Sequence, residues 1–514
     1  MQLNQFNQNI DDINFLSSQV IFPRISADDF KESHYKKIIY DLVDKNVGGF
    51  CVFGGDLLET YNMISELQSR SKVPLLFCAD FENGLPMRLR GGTEFPHLMA
   101  LGKANDLDIT FKIARAIALE CKKIGIHWNL APVADINSNK NNPIINIRSF
   151  GETPELVSKH VEYFINGLQS ERVLACAKHF PGHGDTSMDS HLTLPVLYHL
   201  ENRIKNFEIK PFVIAIKNKV KSIMVGHLAV SVFEKEKIPA TLSPKVIGLL
   251  RNELEYDGLI VSDALDMKAI TSNYSNVEAV IKAIYAGCNV LLIPPNPIEA
   301  IDSLTEEAQK NHIFKENLKY SVIKILEAKE WSGLFSQDTA LDGDNINLSI
   351  EHEKLALKAA YKSIEISGNK ELLPIHEESK FAGFAFIQDD DLEKPSLFFK
   401  ILAQAVENDC DFGFIDDNIS KEEINNILNT IGKVDIIVFA FFYKAKAYSG
   451  SIDIPYKLRM IVDNISGRTK SIAVFFGNPY LAEKINSDLK INSFSDSLPS
   501  IAASILYLSG RKPF

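Results

Sequence analysis

The sequence is poor in the features that would place it outside ordinary globular proteins. No window approaches the roughly 18 consecutive apolar residues that a membrane span needs. There is no excess of positive charge: 55 basic residues face 66 acidic ones, for a formal net charge of −11, which disfavours nucleic acid and anionic lipid as partners. Cysteine is sparse. Cys51, Cys78, Cys121, Cys176, Cys288 and Cys410 are scattered, mostly in apolar runs and never as a CxxC pair, so buried free thiols are expected rather than a disulfide framework. The first eight residues, MQLNQFNQ, carry neither a basic nor an apolar signal region, and a cytoplasmic location is the expectation. Internal repeats and low-complexity tracts are lacking too. With 514 residues, 46% hydrophobic and 24% charged, the composition excludes disordered, collagen-like and coiled-coil chains.

What is present is a recurring β/α pattern. Apolar, β-branched runs fall at Ile21–Arg24, Gly48–Phe53, Pro74–Asp80, His127–Asp135, Leu174–Phe180, Ser222–His227, Gly258–Asp263 and Asn289–Pro294. Continuous rather than alternating apolarity is the mark of parallel strands covered on both faces. Amphipathic helical stretches such as Asp28–Lys45, Leu107–Ile124 and Glu155–Gln169 lie between them. Eight strands alternating with helices predict an α/β fold, a (β/α)8 TIM-type barrel over residues 1–335, in preference to a doubly wound open sheet. A polar linker follows over residues 336–350, with Gly343 and aspartates. Residues 351–514 are predicted as a smaller α/β sandwich domain with a largely parallel sheet. Its strands are expected at Ser363–Ser367, Phe381–Ile387, Asp411–Ile415, Asp435–Phe441 and Ser471–Phe476, with helices near Leu397–Glu407 and Lys421–Ile431 and no comparable gathering of ionisable groups.

Polar residues collect at the C-terminal ends of the first eight runs: Asp80, Asp135, Lys178 with His179, His227, and Ser262 with Asp263. Barrel enzymes keep their chemistry at that rim, and buried charge is costly unless paired, so these residues predict one shared pocket. The densest stretch, Lys178–His191, reads KHFPGHGDTSMDSH. Its Asp189 and His191, two residues apart, suit a carboxylate that orients an imidazole for proton transfer. Other readings of this stretch are a phosphate loop on Gly182 and Gly184, whose spacing meets no known glycine fingerprint, a metal site on His179, His183, Asp185 and His191, and a purely structural loop. Asp263 is read as a helix N-cap or, beside a histidine acid/base, as a carboxylate nucleophile; Asp266 reads as a cap or as solvated. Asp80 with Arg88, and Arg148 in the stretch Asn146–Gly151, match the multiple hydroxyls of a polar, uncharged ligand.

Lys178–His191, Ile260–Met267, Asn129–Asp135 and Pro143–Gly151 together resemble glycoside hydrolase family 3, and within it the β-N-acetylglucosaminidase branch. The resemblance covers about residues 10–335 and, more loosely, the second domain. It implies a retaining, exo-acting hydrolysis of terminal β-linked N-acetylglucosamine, on peptidoglycan fragments, through a covalent glycosyl-enzyme. Asp263 matches the nucleophile, His191 the acid/base and Asp189 its partner. Lys178, His179, Arg148, Asp80, Arg88 and His227 match sugar-binding positions. No metal or other cofactor is implied. A β-glucosidase, another β-hexosaminidase or a phosphorylase on the same scaffold, a metal-dependent barrel hydrolase, and a non-catalytic sugar-binding barrel are the alternatives. Two departures stand out. Glu82-Asn83-Gly84-Leu85 replaces the branch's Glu-Gly-Gly-Arg, and a second domain is present, read as structural or as shaping the pocket mouth.

Overall fold

The computed structural model describes residues 9–186, 193–336, 349–388, 390–430, 434–445 and 452–513. The chain forms two compact units. The first holds residues up to 93, 107–139 and 152–352; the second holds residues 94–106, 140–151 and 353–514.

In the first unit eight parallel strands close into a barrel. β1 (Ile21–Phe22 and Arg24–Ile25, either side of Pro23), β2 (Gly49–Val52), β3 (Leu76–Ala79), β4 (Trp128–Asn129), β5 (Leu174–Phe180), β6 (Ser222–Val225) and β7 (Leu259–Ser262) pair in sequence order. β8 (Leu291–Leu292) pairs with the first half of β1, in register Ile21 to Leu291. The ring closes through the Val261–Val290 bridge and the Ser262 N–H donated to Val290 O. Closure removes every sheet edge, which is why such short strands suffice. β4 is shorter than its apolar run because Pro132 offers no N–H to the ladder, although its carbonyl accepts the Lys178 N–H. The run still returns to the sheet at Val133, bridged to Lys178. Trp128 fills the interior edge-on to Phe22, and its indole N–H donates to the buried Ser222 hydroxyl. All six cysteines are free, five of them buried.

Helices cover the barrel as their apolar spacing requires. α1 (Pro154–Ser170) starts on a Thr153 cap with Pro154 in its first turn and buries Val157, Val161, Phe164, Ile165 and Leu168, apolar positions recurring every three or four residues. α2 (Asn276–Ala286) opens on a Ser275/Glu278 capping box and ends at Gly287 in the left-handed conformation. The stretch read as one helix over Asp28–Lys45 is a 3-10 turn at Asp29–Lys31 followed by an α-helix at Ser33–Asp44.

A buried lysine joins two further helices of this unit, Ile13–Gln19 and His312–Trp331. Lys329 is fully buried and donates to Gln19 Oε1 at 2.9 Å. Burial pulls its pKa down to about 7. The unfolded lysine then binds the extra proton between pH 7 and about 10.4, so stability rises with pH across that window. Lys329→Met is expected to flatten the slope and to be most stabilising relative to wild type near pH 6. Urea unfolding at pH 6, 8 and 10 checks this; parallel curves for the two proteins would refute it.

The second unit carries a six-stranded sheet in the order β9 (Glu365–Gly368), β14 (Leu489–Asn492), β13 (Lys470–Gly477), β12 (Ile436–Tyr443), β10 (Phe381–Ile387), β11 (Cys410–Ile415). Only the β9–β14 pair is antiparallel. Apolar clusters lie on both faces: one includes Phe398, Leu402, Ile501 and Ile505, the other Leu458, Ile461, Val462 and Ile465. Ionisable groups do converge in this unit. Asp496 is buried beside Lys444, Lys394 and His97; burial opposes its charge, but the two lysines outweigh burial and hold the carboxyl well below its ordinary range.

Candidate active site

Six residues of the barrel rim leave the ends of five consecutive strands. Asp80 follows β3, Asp135 lies past β4, Lys178 and His179 end β5, His227 follows β6 and Asp263 follows β7. Asp263 has its N–H bonded to Val225 O, which keeps it in register with the neighbouring strand. It is not a helix cap: the next helix, Lys268–Thr271, is preceded by Met267. Asp266 is exposed.

Lys178 is the hub of a buried charge network. Its ammonium lies 2.7 Å from Asp80 Oδ1 and 2.8 Å from Glu82 Oε1, with only 2% of the side chain exposed. Arg88 Nη2 donates to the other Asp80 oxygen at 2.7 Å. Two cations thus balance two carboxylates, and that balance makes their burial tolerable. Burial alone would raise the Asp80 pKa; Lys178 and Arg88 outweigh it and hold Asp80 well below the ordinary carboxylate range. Glu82, named in the sequence only as part of the Asp80–Arg88 stretch, is therefore a structural partner of Lys178.

Asp135 organises the histidines. Its Oδ2 meets His179 Nδ1 at 2.7 Å, and its Oδ1 accepts the backbone N–H groups of His179 at 3.1 Å and His183 at 2.7 Å. Because the carboxylate accepts, Nδ1 of His179 carries a proton. The loop after β5 needs its glycines for close approach. A Cβ on Gly184 would sit 1.6 Å from Ile136 O, and Gly182, at φ +123°, packs against Glu208.

His227 has both ring nitrogens engaged inside the protein. Nε2 lies 2.9 Å from the carbonyl of Ala264 and Nδ1 2.8 Å from the Thr241 hydroxyl. A carbonyl only accepts, so Nε2 carries a proton; the Thr241 hydroxyl beside Nδ1 donates to the carbonyls of Val225 and Gly226. Burial lowers the pKa of His227, while the nearby Asp263 carboxylate works in the opposite direction. Asp263 Oδ1 in turn accepts the Ala264 N–H at 2.8 Å. The backbone of Ala264 is thus held at its N–H by Asp263 and at its carbonyl by His227. His183, whose pKa burial lowers to about 4, also feels Asp135 and Asp263, so these charges share one neighbourhood.

Arg148 ends a 3-10 turn at Asn146–Arg148 and donates to Ile144 O at 3.1 Å. Its segment, residues 140–151, groups with the second unit. Asp189 and His191 lie outside the described residues. The sequence placed Asp135 at the rim, by its position at the end of an apolar run, without naming its partners; it assigned no role to Thr241, Glu208 or His199.

Residues 19–328 match the model of the glycosyl hydrolase family 3 N terminal domain. The chain is 31% identical over 370 residues to a β-hexosaminidase A of Pseudoalteromonas piscicida, covering 65% of this chain and 62% of that one. It is 29% identical over 347 residues to a β-N-acetylglucosaminidase/β-glucosidase of Cellulomonas fimi, covering 65% and 61%. The matches span about three-fifths of the length of these two relatives. A solved family 3 β-N-acetylglucosaminidase from Paenibacillus sp. str. FPU-7 superposes with a TM-score of 0.85 at 27% identity, over 97% of this chain and 96% of that one. With the family model covering more than half of its length, the chain belongs to glycosyl hydrolase family 3.

Proposed function

We propose that the protein is an exo-acting, retaining β-N-acetylglucosaminidase that releases terminal β-linked N-acetylglucosamine. The observation that carries this reading is the oriented carboxylate of Asp263 at the end of β7, within the same rim as the Lys178–Asp80–Arg88 network. In the proposed cycle Asp263 attacks the anomeric carbon, the glycosidic bond breaks, and a protonated His191 gives its proton to the leaving oxygen. Water then attacks the glycosyl-aspartate, with His191 taking its proton. Asp189 keeps the imidazole in the orientation this exchange needs. Asp80, Arg88, Lys178 and His179 supply hydroxyl contacts.

An imidazole acid/base adds no negative charge beside the leaving group. That favours an anionic leaving sugar such as N-acetylmuramic acid, and peptidoglycan fragments are the proposed natural substrate. The relatives, a hexosaminidase in one case and a glucosaminidase/glucosidase in another, keep the sugar's 2-substituent as the point to test. Aryl β-N-acetylglucosaminide should be turned over at least about tenfold faster than aryl β-glucoside, the selectivity of one well-filled pocket contact. Glucoside preference would overturn the assignment, and formation of a sugar 1-phosphate in phosphate buffer would make the enzyme a phosphorylase.

Because both His227 nitrogens are engaged within the protein, it acts in this scheme as a positioning residue rather than a sugar ligand. His227→Ala should lower kcat by about 10–100-fold, as loss of an outer orienting group does, with KM changed less than threefold. A large rise in KM at constant kcat would instead assign His227 to the sugar.

A further inference from the structure

The histidines of the KHFPGHGDTSMDSH stretch invited a metal reading. Among the described residues, however, the three-ligand group is a different one. Asp185, His199 and Glu208 bring one ligand atom each to within 4.8 Å of one another. His199 Nε2 already lies 2.8 Å from Asp185 Oδ2. Glu208 has a fully buried side chain, and neither of its carboxylate oxygens receives a hydrogen bond. Its nearest cation, Arg203, approaches Oε1 at 3.1 Å without hydrogen-bond alignment, its guanidinium stacked over Phe207. Buried carboxylate oxygens left in that state are rare, since each lacks the partner that compensates its lost hydration. Asp185 and His199 are about one-third exposed, so an ion has a route from solvent to the buried Glu208.

We infer that Asp185, His199 and Glu208 form a site for a divalent transition-metal cation of the zinc class, separate from Asp263 and from the histidines of the proposed mechanism. One imidazole nitrogen with two carboxylate oxygens suits zinc, cobalt or nickel better than calcium or magnesium, which prefer all-oxygen shells. The cation takes the place of the proton shared by His199 and Asp185 and gives the Glu208 oxygens, which receive no hydrogen bond, a directed partner. Ligand atoms bound to zinc at about 2.0–2.2 Å lie roughly 3.3–3.6 Å apart in a tetrahedron, so side-chain adjustments of about 1 Å complete the site, with water in the remaining position.

Isothermal titration of the chelator-stripped full chain with ZnCl2 tests this without reference to turnover. One zinc per chain is expected, with binding weakened about tenfold or more in both His199→Gln and Asp185→Asn, the scale of losing one ligand. His191→Ala should bind zinc as wild type does. Both surface variants should keep the wild-type melting temperature in the presence of chelator, which separates loss of a ligand from loss of fold. Absence of saturable zinc binding, unchanged affinity in His199→Gln, or loss of binding in His191→Ala instead would each overturn the assignment. Calcium in place of zinc as the tighter ion would do so too.

Discussion

Replacing Asp263 by asparagine is expected to lower kcat on an aryl β-N-acetylglucosaminide by more than about 10⁴-fold, the scale on which loss of a covalent nucleophile registers. The melting temperature should stay within a degree or two. Asparagine keeps the shape of the side chain and an oxygen to accept the Ala264 N–H, so the local backbone has no reason to move. What it lacks is the charge that attacks the anomeric carbon. Asp263→Ala carries the test further. It opens room for a small anion, and azide entering from the vacated side should restore part of the rate with a leaving-group-activated substrate. The product would be the α-glycosyl azide, one inversion in place of two. The N-acetyl sugars allow a competing chemistry in which the substrate's own acetamido oxygen attacks. In that case Asp263→Asn would lose far less, and azide would neither accelerate the reaction nor invert the product. A residual rate within about tenfold of wild type would sink the nucleophile assignment.

The barrel was legible because both-face burial writes itself as continuous apolar runs. Seven of the eight strands sit inside the stretches where those runs occur; β1 runs one residue past its own, and Asp80, Lys178, His227 and Asp263 leave them where the pattern placed them. The fourth run was too long, since Pro132 has no N–H to give the ladder between Asn129 and Val133, although its carbonyl still accepts the Lys178 N–H. In the second unit the strand Leu489–Asn492 and the helices Tyr456–Ser466 and Leu498–Ser509 escaped notice. The strand is four residues long, and the last helix is apolar nearly all round, leaving no periodic signal. The grouping of residues 94–106 and 140–151 with the second unit also left no trace, because no composition shift marks Thr93 or Asn139. Packing of Gly102 against the backbone of Phe150, and the shared cluster of Met99, Ile147 and Phe494, exist only once the chain is folded. Partnerships within the site were hidden for the same reason. Nothing in the Glu82 or Asp135 neighbourhood announces that one will face Lys178 and the other will hold two histidine backbones.

Lys178→Met is expected to cost about 3–5 kcal/mol, the penalty for removing one member of a buried ion network and stranding its partners. Methionine matches the aliphatic stem, so the loss comes from charge rather than from volume. The remaining arithmetic is unfavourable: Arg88 alone would face both Asp80 and Glu82, and Glu82 is 4% exposed at its side chain. Glu82→Gln should cost less, because Lys178 keeps its 2.7 Å contact with Asp80. The decisive variant is the double one. Lys178→Met with Glu82→Gln removes one cation and one anion together, leaving Asp80 paired with Arg88, and should be more stable than Lys178→Met alone. The coupling between the two positions is then read from a double-mutant cycle of urea midpoints. Turnover separates the network's two duties. If Lys178 also meets the sugar, the double variant regains stability without regaining kcat/KM, whereas a role confined to holding the fold would let both recover together. Additive effects of the two substitutions would mean that the 2.8 Å contact between Lys178 and Glu82 contributes nothing to stability.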